Sequence, residues 1–114
     1  MAKINKKTNQ ASLDNLRKLR RKLYALPEVE LSALSLDDQV AYGDNLHKIG
    51  VAILKLEIAE LKGVSAAFKR KESSLKAAIV KLEKDTASLS EAVKTIRVLS
   101  RGLTLITDIV SLLS

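Results

Sequence analysis

Leu13, Leu16, Leu19, Leu23 and Leu26 recur at three- and four-residue steps, with Arg17, Lys18, Arg20, Arg21 and Lys22 between them. This spacing lines one face of an α-helix with leucine and leaves the other faces to charge. Ser12 stands in an N-cap position with Asp14 in the first turn. Pro27 ends the helix, because its ring disfavours helical backbone at Leu26 and it has no N–H to donate. The pattern predicts a short basic helix over 12–26, preceded by a flexible basic tail over 1–11.

Glu28 to Leu34 reads as one acidic turn or a plain connection, after which Ser35 and Asp38 form a capping-box pattern. From there the pattern is helical to Leu113. Within it a heptad seam runs from Val51 through Leu54, Ile58, Leu61, Phe68, Leu75, Ile79 and Leu82, and on through Leu89, Val93, Ile96, Leu103 and Val110, with small or polar members at Ser65, Glu72, Thr86, Ser100 and Thr107. As one straight helix this stretch would be about 117 Å long with its apolar faces in water, so a fold-back is expected. Lys69 to Ser74 is its longest polar run and Gly63 the rival break. The polar run divides the stretch into arms of similar length, which predicts helices over 36–69 and 73–113 in a single helical domain spanning 12–114. Around Leu46–Leu61 and Val93–Leu113 apolar residues spread over most of the helix circumference. Such segments need more than one neighbour.

Composition agrees with helices: one proline, four glycines, no cysteine, and 3% aromatic residues. No strand-like alternation bounded by turns occurs. Charge changes the picture more. The net +7 lies wholly within the first 24 residues, where eight Lys/Arg face Asp14 alone; beyond them the charges balance. A basic front on a neutral apolar body points to an anionic partner, with Arg17, Lys18, Arg20, Arg21 and Lys22 as the candidate site. Lys3, Lys6 and Lys7 have no apolar run behind them, so no secretory signal is expected. Gly102 to Leu113 is too short to span a bilayer, and Arg97, Arg101 and Asp108 interrupt its neighbourhood. The default location is cytoplasmic.

Little here points to catalysis. His47 is the one imidazole and Asp44 lies a helical step before it, but no serine or cysteine nucleophile accompanies them. Glu57 and Glu60 share a face and read as solvating charge. No cofactor, metal or small-molecule substrate is implied. Gly43 and Gly50, seven residues apart, share one helix face and permit a close helix approach.

The expected fold is all-α: a short basic N-terminal helix packed on a long antiparallel helical hairpin, resembling a coiled coil. The expected function is non-enzymatic, with apolar helix faces binding a second copy or another helical chain. Leu54, Ile58, Leu61, Leu103, Ile106 and Val110 are the candidate partner face. A membrane-active helical protein at an anionic surface, such as a small part of a lytic or secretion assembly, is the alternative. Nonspecific nucleic-acid binding is the third reading; the chain has no helix-turn-helix spacing or aromatic stacking platform.

Overall fold

The computed structural model describes residues 2–113 and is all-α. Helix α1 spans Lys6–Tyr24, α2 Glu28–Ser32, α3 Leu36–Lys62, α4 Ala66–Ala87 and α5 Ala92–Val110, followed by a 3-10 turn over Ser111–Leu113. α1, α3, α4 and α5 form a bundle in which α1 and α5 each pack against both α3 and α4. Asn9 reaches the Leu56 carbonyl, while Tyr42 reaches that of Leu23, so α1 and α3 run antiparallel. Asn5 meets Glu72 and Lys18 meets Glu83, so α1 and α4 run parallel.

The basic helix starts at Lys6, six residues before the position expected from Ser12. Asn5 caps it, its side-chain oxygen accepting from the Thr8 N–H at 3.0 Å. Asn9 and Ser12 are the reason the sequence hides this extension: both are polar, yet both are buried on the leucine face. Asn9 is satisfied there, donating to the Leu56 carbonyl at 3.1 Å and to Glu60 at 2.9 Å. The segment before α1 is tied to the bundle as well, since Ala2 and Val64 exchange backbone hydrogen bonds of 3.1 and 2.7 Å.

Ser35 caps α3 as expected, its hydroxyl accepting from the Asp38 N–H at 3.2 Å and donating to the Asp38 carboxylate at 3.0 Å. The fold-back, however, comes at Gly63 rather than at Lys69–Ser74, which lie within α4. Gly63 has φ 83° and ψ −177°, a backbone region that side-chain-bearing residues avoid. Two residues later Ser65 caps α4 by accepting from the Phe68 N–H at 3.1 Å. The expected second arm is also interrupted between Ala87 and Ala92, so two helices, α4 and α5, replace the single one over 73–113. Heptad periodicity passes through this break unchanged. The N–H of Leu89 bonds the Thr86 carbonyl across the turn, and Glu30 of α2 accepts from the Ala92 N–H at 2.9 Å, capping α5 from outside.

The core is built from α1 leucines (Leu13, Leu16, Leu19, Leu23), Ile49 and Leu56 of α3, Phe68 and Ile79 of α4, and Ile96, Leu99, Leu103 and Ile106 of α5. Gly102 lets α5 press on α4. A methyl group there would collide with the side chain of Leu82, itself buried. Gly102→Ala is therefore expected to destabilise the fold by about 1–2 kcal/mol despite alanine's better helix propensity. Gly50→Ala, with nothing within 4 Å of the added carbon, should stabilise by about 0.5–1 kcal/mol. Urea denaturation of both variants checks the opposite signs.

Candidate interaction surfaces

The six apolar residues proposed as one partner face separate into two groups. Leu103, Ile106 and Val110 are at most 3% exposed and belong to the protein's own core, which corrects their assignment to a partner face. α5 packs on both α3 and α4, which accounts for its broad apolar circumference. Leu54, Ile58 and Leu61 on α3 point outward, exposed to 58%, 39% and 88%. The heptad seam thus changes sides at Gly63: Leu54, Ile58 and Leu61 before the turn face solvent, whereas Phe68, Leu75, Ile79, Leu82, Ile96, Leu103 and Val110 after it are buried.

The structure lengthens the outward group. Leu36 (75% exposed) and Val40 (65%) lie on the same line of α3. Gly43, His47 and Gly50 occupy the middle of that line, at steps of three and four residues. The space beyond both glycines is open. The result is an apolar and small-residue stripe along the whole outer face of a 27-residue helix, about 40 Å long. Leu36 and Val40 were legible in the sequence by their spacing from Leu54, but the seam chosen there began only at Val51.

Two neighbours set which face of α3 turns outward. Asn45 is fully buried and donates to the Ile96 carbonyl at 3.0 Å, while its own oxygen accepts from the Ser100 hydroxyl at 3.2 Å. One heptad earlier, Arg97 grips Asp38 with Nε at 3.3 Å and Nη2 at 3.1 Å. The Arg97 hydrogen bond is the main cause holding the Asp38 carboxyl below its ordinary value; partial burial opposes it and the Ser35 hydroxyl assists. Stability from this clasp is complete above the carboxyl's unfolded value of 3.8 and is lost as pH falls through the lower folded value. Arg97→Met should accordingly move acid unfolding, followed by circular dichroism, to a higher pH. An unmoved midpoint would mean that the pair contributes nothing.

The basic cluster of α1 is divided in space. Arg17 pairs with Glu57 at 3.2 Å and Asp14 at 3.6 Å, and Lys18 lies 3.9 Å from Glu83. Arg20, Arg21 and Lys22 make no ion pair among the described residues, and Arg21 and Lys22 sit in the last turn, where the helix dipole favours cations. Lys3, Lys6 and Lys7 lie at the opposite end of α1, with Lys6 about 24 Å along the helix from Lys22. There they join Lys62 at the end of α3 and Lys69, Arg70 and Lys71 at the start of α4. The Lys69 ammonium binds the Lys3 carbonyl at 3.0 Å. The acids at this end are occupied: Glu72 accepts from the Asn5 N–H and from Lys69, and Glu60 from Asn9 and Gln10. This basic end was not legible in the sequence, because its members come from three separate segments.

His47 is exposed beside a shallow groove of about 240 Å³ between α3 and α5. Asp44 pairs with Lys48 at 2.9 Å. Among the described residues no group of three or more His, Asp or Glu side chains is placed to hold a metal ion, and no helix is long and apolar enough to cross a membrane. Compared with family models, with curated proteins and with solved structures, the chain matches none.

Proposed function

We propose that this is a non-enzymatic helical interaction protein that binds another helix along the outer face of α3. One observation carries the reading: Leu36, Val40, Leu54, Ile58 and Leu61 are aligned on a single helix face and exposed together. Isolated surface leucines are ordinary; apolar residues grouped at both ends of one helix face, with small residues between them, suit helix-on-helix docking. Leucine and isoleucine anchors supply affinity, and the charges beside them set register and approach. A photo-crosslinking residue at Leu54, with one at exposed Lys76 as control, tests this in cells producing the protein. Adducts larger than the monomer are expected from position 54 and not from 76. If position 54 yields none, the reading falls.

A second reading rests on the basic end, where Lys3, Lys6 and Lys62 line a shallow groove with exposed Leu61. Cations at about 1 kcal/mol each near an anionic leaflet, with an apolar residue among them, suit docking on a membrane surface. Co-sedimentation with phosphatidylserine vesicles at physiological salt, weakened by Lys6→Glu/Lys7→Glu, is the expected result. Protein left in the supernatant would dismiss it.

A further inference from the structure

The stripe is complementary to itself when reversed, and the geometry points to a second copy of this chain as its occupant: two α3 helices pair antiparallel about a twofold axis near His47–Gly50. This inference rests on the interaction reading above and specifies the partner. Reversing the helix sets Leu36 opposite Leu61, Val40 opposite Ile58, and Leu54 opposite Gly43. Bulk thus meets bulk toward the ends of the stripe, and a leucine meets an open glycine nearer its centre. Each pair recurs on the other side of the axis, as an isologous interface requires.

Charge selects the same arrangement. At 100° per residue, Asp37, Asp44, Lys55 and Lys62 all fall on one flank of the stripe. The acids lie in the N-terminal half of α3 and the lysines in the C-terminal half. In an antiparallel pair this flank faces its own copy, so Asp37 approaches the region of Lys62 and Asp44 that of Lys55, each twice. In a parallel pair it would face the other flank, where Gln39 and Leu46 offer the acids no charge and Glu57 and Glu60 are already engaged by Arg17, Asn9 and Gln10. Asp37, Lys55 and Lys62 make no ion pair within the described chain, which leaves them available. The opposed helix dipoles add to the preference. The footprint is a single helix face, which places the dimer among interfaces of modest size and affinity.

The chain has no cysteine, so introduced thiols report geometry without interference. Leu36→Cys and Leu61→Cys replace exposed residues and should leave the melting curve near wild type, which is checked first. Oxidised together, the two variants are expected to give mixed 36–61 dimers several-fold in excess of either self-linked species, because a disulfide demands close Cα atoms. By sedimentation equilibrium, Asp37→Lys/Asp44→Lys and Lys55→Asp/Lys62→Asp should each weaken dimerisation about tenfold, and their equimolar mixture should restore it. Self-linked 36–36 and 61–61 products would overturn the antiparallel pairing. A monomer at every concentration, without cross-links, would overturn self-association altogether. The broader reading would then stand or fall separately: a photo-adduct with a different protein at position 54 keeps it, and no adduct removes it.

Discussion

Leu103→Glu is expected to unfold the bundle, whereas the same change at Leu54 should leave the denaturation midpoint nearly where it was. Both leucines sit on the one heptad seam read from the sequence, so their local sequence environments make similar predictions. Their surroundings differ. Leu103 is fully buried on α5, which packs on both α3 and α4, and Leu54 is 58% exposed. An ionised carboxylate at position 103 would have neither water nor a cation, and forcing it neutral still removes the packing of a whole leucine side chain. The combined cost, about 4 kcal/mol or more, approaches the whole stability of a domain at the lower end of the usual range of about 5–15 kcal/mol. At Leu54 the carboxylate enters solvent, and the expected change is within about 0.5 kcal/mol. The Leu54 variant should lose only association. Urea denaturation followed by helical circular dichroism separates the two. A Leu103 variant with a near-native midpoint would mean that α5 does not pack its Leu103 face into the core.

Why periodicity could not make this distinction is visible in particular residues. A heptad pattern records that Leu54, Ile58, Leu61, Phe68 and Leu75 share a spacing; it does not record that the chain reverses at Gly63. Apolar spacing also continues through Leu82, Thr86, Leu89 and Val93, although the helix stops at Ala87 and restarts at Ala92. The helical class, the leucine face of α1, its termination before Pro27 and the Ser35 cap were all legible, because each depends on neighbours within a few positions. The true start of α1 was not. Asn9 and Ser12 belong to its buried face only because partners on α3 and the packing of the bundle accept them. The same reasoning applies to charge: linear order groups Lys6 with Arg21, and the fold puts them at opposite ends of one helix.

What holds the stripe outward is the polar clasp between α3 and α5, and Asn45→Asp should reverse its dependence on pH. The substitution is nearly isosteric, so packing is preserved and the chemistry of one atom changes. In the native protein the amide nitrogen donates to the Ile96 carbonyl at 3.0 Å in a fully buried site. A protonated carboxyl can replace that donor; an ionised one sets oxygen against oxygen with no solvent to separate them. The folded state therefore raises the introduced carboxyl's pKa, opposite to the native Asp38 one heptad away, whose carboxyl Arg97 holds low. Below an unfolded value of about 4 the variant should be close to wild type. As pH rises beyond it, stability should fall by up to about 1.4 kcal/mol per unit until the raised folded value is reached. For a shift of two to three units that totals about 3–4 kcal/mol at neutral pH. Urea midpoints at pH 4 and pH 7 decide the matter. A deficit equal at both would mean that water reaches position 45 and the clasp is open. A deficit confined to the higher pH would show a sealed clasp fixing the rotation of α3, and so the face it presents to a partner.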